Sequence, residues 1–540
     1  MLRRIRGTVA AGHPDTANAG AEMFELGGNA VDAAVAAAFA SAVVESLLTD
    51  LGGGGFMLVD DGKKGRLYDF FVRVPGLGRP SHPPALPSSF PRDSLDFRPI
   101  EIDFRGGKQT FHIGLGAAAV PGLIHGLCTV QKAEGKLPLR EVVAPAVRLA
   151  RSGTKLTGPM AFILQVIAPI FLQRPELAAL VAPNGELLKE GDLFRWSPQL
   201  ADLLETIGRE GHRFVYEGEV ARTIVETCRT GGGLITMEDL RTYETLIRHP
   251  LEQFNHNARF RLNGPSSTGG ALIAFGLMLA DGYCGKHPAN SPENARVVAA
   301  VMETVAQARA EVMDTRSHTG YDRHYLGDAT VTAHYRNQLA LRLNKGAFSG
   351  PGPLAGRGST THISVIDEQG QAASITSSNG EGSSYLIEGT GIHLNNMLGE
   401  EDLNPLGFHK VAPGKRLPSM MCPMVIDQQD GTRTVLGSGG ANRLRTALLQ
   451  VSLHITANGL SLEDAILAPR LHLEGMCLHA EPDFSETVMD TLENFGYEIR
   501  KWPNKNLYFG GAHAVQRHRN GRLTGYGDPR RGGSVAGQID

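Results

Sequence analysis

Ser359-Thr360-Thr361-His362-Ile363-Ser364-Val365-Ile366-Asp367 reads as a strand that begins where a linker stops. From Thr361 to Ile366 polar and apolar residues alternate, the two-residue period of a strand. Asp367-Glu368-Gln369-Gly370 reads as a turn and Ala373-Ser374-Ile375-Thr376-Ser377-Ser378 as the returning strand, so the segment is expected to fold as a hairpin. Upstream, Asn344 to Ser359 runs NKGAFSGPGPLAGRGS, rich in Gly and Pro and without hydrophobic period. It predicts an exposed, mobile connection. Taken alone, Thr360 and Thr361 are ordinary β-formers at a strand start. A flexible linker ending on a threonine that opens a core strand is nonetheless unusual as architecture.

A cut before Thr360 would put a hydroxyl and an α-amine on one residue. An α-amine titrates near 7.7–8.0 and lysine near 10.4, so at pH 7 about one amine in six is unprotonated against about one lysine in 2,500. Such an amine can act as general base for its own hydroxyl without a retuned lysine or a separate histidine.

Further out, Asp15 to Leu26 and Ala30 to Leu48 read as two helices separated by Gly27-Gly28-Asn29, a stop and restart. Leu51-Gly52-Gly53-Gly54-Gly55-Phe56-Met57-Leu58-Val59 is a glycine run entering a strand; it lacks GK[ST], which argues against a phosphate loop. Arg79 to Gly107 reads as a long irregular loop, and helical patterns dominate from about Pro121 to Met313. Cys422 to Ile426 and Arg433 to Gly437 read as strands around a turn at Asp430-Gly431, followed by a helix from about Asn442 to Asn458. No internal repeat stands out.

The 540 residues carry a formal net charge of -3, with 41% hydrophobic and 20% charged residues. That balance is ordinary for a soluble globular protein and argues against nucleic acid or an anionic membrane as partner. Cys128, Cys228, Cys284, Cys422 and Cys477 are scattered, and none of the 19 histidines sits in a ligand array. Neither a metal site nor a cofactor is expected. Met1 to Gly12 lacks the apolar stretch of a secretory signal, and Ala30 to Leu48 carries Asp32 and Glu45, so the chain is expected to be cytoplasmic.

The segment from Thr360 resembles the TTHxSVxD signature that opens the small subunit of γ-glutamyltranspeptidases. Other blocks agree in order along nearly the whole chain: Gly27 to Ala34, Leu51 to Phe56, Val120-Pro121-Gly122, Gly264 to Gly270, Tyr325 to Asp328, Asn395-Asn396, Pro469 to His472 and Asp528-Pro529-Arg530. Each block is weak alone, and their collinear order is specific. The resemblance implies a mixed α/β fold, the four-layer αββα sandwich of the N-terminal-nucleophile hydrolases. It would be made as one precursor and cut into a large subunit, 1–359, and a small catalytic one, 360–540, which intertwine as a heterodimer. It implies Thr360 as nucleophile and Ser378 as the hydroxyl that positions it, where the family has threonine. Gly439, Gly440 and Ala441 fall on the turn whose N–H groups form the oxyanion hole. A backbone donor needs no glycine, so Ala441 can keep that role. Read without the resemblance, Gly439-Gly440 is a strand-to-helix turn or an anion site, and Glu400-Glu401-Asp402 a solvated acidic loop.

The recognition half departs from the family. Phe71 stands where the family has the arginine that holds the substrate carboxylate. Arg73, two residues on, is expected on the same strand face about 6–7 Å away. Gly380 replaces an asparagine, with Asn379 adjacent; Met397 replaces a glutamine; a paired serine becomes Ser419-Met420. Glu400 falls on the aspartate that binds the substrate amine. The expected activity is hydrolysis or acyl transfer on a small-molecule γ-glutamyl or related amide, with water or an amine as acceptor. Another small amide or acylated compound, or an uncut non-catalytic relative, are the alternatives.

Overall fold

The computed structural model describes residues 6–79, 94–103, 108–265, 267–313, 327–346 and 359–538. Most of the linker expected between Asn344 and Ser359 lies outside these residues, as do Tyr325 and Leu326. Among the described residues no helix is long and apolar enough to cross a membrane.

In chain order the strands that matter are β1 (Gly7–Ala11), β2 (Gly54–Asp60), β3 (Gly65–Phe70), β4 (Leu246–Arg248), β5 (Leu251–Asn255), β6 (Ala258–Leu262), β7 (Thr361–Asp367), β8 (Ala372–Ser378), β9 (Met424–Gln428), β10 (Arg433–Gly439), β11 (Gly511–Arg517), β12 (Leu523–Tyr526) and β13 (Ser534–Gly537). A seven-stranded sheet runs β13-β1-β7-β8-β2-β3-β4 and a six-stranded one β12-β11-β10-β9-β6-β5. Strands β7 and β8 lie across β10 and β11, so the two sheets stack face to face. Helices α1 (Pro14–Glu25), α2 (Ala30–Val44) and α3 (Leu123–Glu134) cover the first sheet, and α4 (Thr268–Ala280) and α5 (Arg443–Thr456) the second. The result is the expected αββα sandwich.

Local chemistry explains the central elements. Asn29 caps α2 with its side chain on the Val31 and Asp32 N–H groups, while Asp32 reaches back to the Asn29 N–H at 3.0 Å. This reciprocal box satisfies donors that the helix itself cannot. All fifteen residues of α2 are buried, as a helix apolar on every side must be, ringed by other elements. The alternation read in β7 sorts its faces. Ile363 and Val365 enter the apolar core under α2. His362 turns between the sheets, its ring nitrogens 2.8 Å from Thr376 Oγ1 and 2.9 Å from Ser364 Oγ. Burial, with His513 nearby, holds the His362 ring well below the ordinary histidine range.

The sequence reading differs from the structure in two places. Within the stretch read as one irregular loop, Arg98–Asp103 pairs with Lys108–Ile113 as a hairpin; 80–93 and 104–107 lie outside the described residues. In the stretch read as dominated by helices, β4 and β5 form sheet edges and β6 pairs between β5 and β9. They are three to five residues long, and although Ala258–Leu262 alternates apolar and charged residues, so short a run does not stand out among helical patterns.

Candidate active site

Thr360 directly precedes β7 and Ser378 ends β8, so the hairpin sets them side by side at one end of the first sheet. The Ser378 hydroxyl donates to the Ser359 carbonyl oxygen and accepts from the Gly380 N–H at 3.0 Å. The peptide bond between Ser359 and Thr360 therefore carries a hydroxyl donor on its own carbonyl. From the facing sheet, β10 ends against the next carbonyl. A Cβ on Gly439 would lie 2.2 Å from the Thr360 oxygen, so any side chain there would collide with backbone. Arg531 Nη1 donates to the same oxygen at 3.2 Å. Thr361 points the other way, its hydroxyl 2.6 Å from Glu45 Oε2, while Thr16 holds Glu45 Oε1 at 2.6 Å. Burial raises the Glu45 carboxyl, and those two hydroxyl donors oppose the rise.

After Gly439 the chain turns sharply into α5. The carbonyls of Gly440 and Ala441 accept from Arg443 and Leu444 at 3.0 and 3.1 Å. Ala441 has φ +48°, in the left-handed region. A Cβ there costs about 1–2 kcal/mol, and glycine would lose about 0.5–1 kcal/mol of that gain to unfolded-state entropy. Ala441→Gly is therefore expected to raise unfolding free energy by about 0.5–1 kcal/mol. A urea midpoint measured on uncut chains checks this; a lowered midpoint would contradict it.

A cleft with about 390 Å³ of atom-free space, open mouth included, lies beside this hairpin. Ser359, Thr360, Ser378 and Ala441 form one wall, Glu400 and Asp402 a second, and Phe71, Met397, Ser419 and Met420 much of the rest. Burial pushes Glu400 well above the carboxylate range, and the neighbouring Glu381 and Asp402 push it further. Burial likewise raises Asp402 to about 6, against Arg309 and an Asn442 hydrogen bond. Glu400 Oε1 is buried without a hydrogen-bond partner. A Cβ on Gly380 would lie 2.1 Å from that oxygen, so the missing side chain at 380 is what makes room for the longer acid at 400.

Four candidates, Arg73, Asn379, Gly439 and Gly440, do not line the cleft. Arg73 lies beyond the end of β3, where it makes only isolated bridges to Val120 and Arg416, so the two-residue strand offset does not apply. Its guanidinium donates to the Thr242 carbonyl at 2.8 Å, the Thr242 hydroxyl at 2.8 Å and the Asp239 carbonyl. Those bonds tie it to the segment from Asp239 to Thr242 rather than to the cleft. Asn379 donates to the His393 carbonyl at 3.1 Å, and it too is absent from the cleft wall. Gly439 and Gly440 stand behind the wall that Ala441 completes.

Several contributors escaped the sequence reading. Glu45 and Arg531 reach Thr361 and Thr360 from distant parts of the chain, and Glu381 reaches Ser359 from just beyond β8. The collinear blocks turn out to brace one another. Asn395 Nδ2 donates to Gly52 and Ala119 carbonyls at 2.8 and 2.9 Å, and Asn396 Oδ1 accepts from Glu381 and Gly382. Asp528 sits 2.7 Å from Arg470. Burial alone would raise its carboxyl, but Arg470 and Arg530 hold it at about 2. This ionic cluster anchors the segment from which Arg531 reaches Thr360.

Two stacked sheets between helix layers, with a threonine leading a central strand, is the build of the N-terminal-nucleophile hydrolases. Within that class, the chain belongs to the γ-glutamyltranspeptidase family, whose sequence profile matches residues 16–538. It is 30% identical to an acylase ACY 1 proenzyme of Pseudomonas sp. strain V22, over 96% of this chain and 91% of that protein. It is 29% identical to the glutathione hydrolase proenzyme of Escherichia coli K12, over 98% and 91%. The crystal structure of a cephalosporin acylase from Bacillus halodurans superposes with a TM-score of 0.84, covering 99% of this chain and 96% of that one at 24% identity. The chain is thus a divergent member of a family of amide hydrolases.

Proposed function

We propose that the chain cuts itself between Ser359 and Thr360 and then acts as a threonine amidase on a small-molecule γ-glutamyl or related amide. The carrying observation is the Ser378 hydroxyl hydrogen-bonded to the Ser359 carbonyl, beside Thr360, on the wall of the cleft. In the cut, Thr360 Oγ adds to the Ser359 carbonyl carbon, the C–N bond breaks with a proton passing to nitrogen, and water hydrolyses the resulting ester. The freed α-amine then takes the proton of Thr360 Oγ as that oxygen attacks the substrate carbonyl. It returns the proton to the leaving amine, and water or an acceptor amine removes the acyl group. The N–H groups of the Gly440-Ala441 turn would face the oxyanion, a role worth about 2.7–4 kcal/mol per donor. The word proenzyme in the names of the Pseudomonas and Escherichia relatives supports a cut of this kind.

Glu400 is the proposed partner of a substrate ammonium, since a cation beside it would relieve the crowding by Glu381 and Asp402. Nothing equivalent supports a carboxylate partner at Phe71, and Arg73 is engaged elsewhere. Loss of one member of a buried charge pair costs about 2–5 kcal/mol. Glutathione should accordingly be cleaved at least about 30-fold less efficiently than by the Escherichia coli relative assayed alongside; equal kcat/KM would refute the expectation. The apolar wall of Phe71, Met397 and Met420, together with the acylase names among the relatives, favours a second reading, an acylase for a different small amide. A panel of γ-glutamyl and other acyl amides, scored by the acids released, separates the two. Amino-terminal sequencing of the smaller fragment tests both: it should begin at Thr360, and a chain that stays whole would favour a non-catalytic relative.

A further inference from the structure

Beyond the nucleophile and its hydroxyl partner, a second grip holds the upstream side of the Ser359–Thr360 bond. Ser359 Oγ donates to Glu381 Oε2 at 2.8 Å, and the Ser359 N–H also bonds to this carboxyl. Both residues are buried, Ser359 at 7% and Glu381 at 2% exposure. Glu381 is itself fixed through its N–H, which donates to Asn396 Oδ1 at 2.8 Å. Three residues earlier on the same short segment, Ser378 holds the Ser359 carbonyl. One turn after β8 thus clamps Ser359 at its hydroxyl, its N–H and its carbonyl oxygen.

A buried carboxyl is a costly thing to aim at a serine. Removing an ionisable group from water is unfavourable unless partners replace the water, and Glu381 Oε1 has none within hydrogen-bonding distance. Burial raises the group to about 7; the Ser359 donors, Arg531 and Arg443 draw it down, while Glu400 stands beside it as a second acid. Packing alone gives no reason for an acid here. The geometry supplies one, because a linker end must be held still for the threonine oxygen to reach its carbonyl carbon. A misplacement of about 1 Å costs on the order of 100-fold in rate.

We propose that Glu381 is a positioning residue for self-cleavage, gripping Ser359 so that its carbonyl carbon faces Thr360 Oγ. It touches none of the bonds made or broken; it orients the residue that carries them. The proposal rests on the reading that the chain cuts before Thr360. It predicts that the identity of Ser359 matters only through its contact with Glu381.

Cell-free synthesis with a short pulse of labelled methionine, followed by a chase on denaturing gels, measures the rate at which the full chain becomes the 360–540 fragment. Glu381→Ala and Ser359→Ala should each slow the cut by at least about tenfold, and the double variant should be no slower than the slower single within about twofold. Glu381→Gln keeps an acceptor oxygen and should restore the rate to within about threefold of wild type, a rescue that loss of folding could not produce. Ser359→Ala removes one hydroxyl only, so it reports even if Glu381→Ala misfolds. Wild-type rates in both alanine variants, or effects that multiply in the double, would overturn the proposal. A wild-type chain that never cuts would instead overturn the reading beneath it.

Discussion

Thr360→Ala is expected to run as one uncut chain on a denaturing gel and to hydrolyse no amide above background. In the proposed mechanism one oxygen performs both reactions, so deleting it removes the cut and the turnover together. Removing the nucleophile of a well-studied serine hydrolase costs roughly 10⁶-fold in kcat, and a loss of that order is expected here. The fold should survive. The bonds that fix Thr360 in place are to its backbone carbonyl, from Arg531 and the close approach of Gly439, and alanine keeps that carbonyl. A far-ultraviolet circular dichroism spectrum matching wild type would establish this. Thr360→Ser, which retains a hydroxyl, should still cut. Undiminished amidase turnover in the alanine variant would end the assignment of Thr360.

Ser378→Ala should slow the cut by about 10²–10³-fold, the effect of deleting one preorganised donor to a developing oxyanion. In the uncut chain this hydroxyl already lies on the carbonyl that would be attacked, so its bond can strengthen as charge builds on that oxygen. The same change strips the buried Gly380 N–H of its acceptor, and an unsatisfied buried donor costs about 1–3 kcal/mol. Lower stability should therefore accompany the slower cut. Ser378→Thr keeps the hydroxyl and should restore both. The half-time of fragment appearance decides the matter: an alanine variant that cuts at the wild-type rate would leave Ser378 without the proposed role.

The hairpin of β7 and β8 was legible because two short stretches of alternating residues flank the turn at Asp367 to Gly370. The first two helices were legible because Gly27-Gly28-Asn29 stops one and starts the next, where Asn29 caps α2. The short strands β4 to β6 were not, since three to five residues, even the alternating ones of β6, are too few for a period to stand out among helical patterns. The site was half legible. Thr360, Ser378, Ala441, Glu400, Ser419 and Met420 line one cleft. Arg73 failed because strand periodicity stops at Phe70 and the next residues follow local acceptors instead. Glu45 and Arg531 act on the threonine pair from 316 and 171 residues away. A single acid or base placed by tertiary packing leaves no local pattern, and Glu381, though near in sequence, looked like one polar residue in a glycine-rich turn.

The order β13-β1-β7-β8-β2-β3-β4 has a consequence for the lifetime of a severed molecule. Scission before β7 would assign β1 to one polypeptide and both of its neighbours, β13 and β7, to the other. The halves would then be laced through each other by ladder bonds that no covalent link records. Once thermally unravelled, they would have to meet by diffusion and rethread β1 between two foreign strands, in competition with aggregation. The endurance of the severed form would rest on its barrier to opening rather than on a reversible balance, and the uncut chain would be the better able to find its way back.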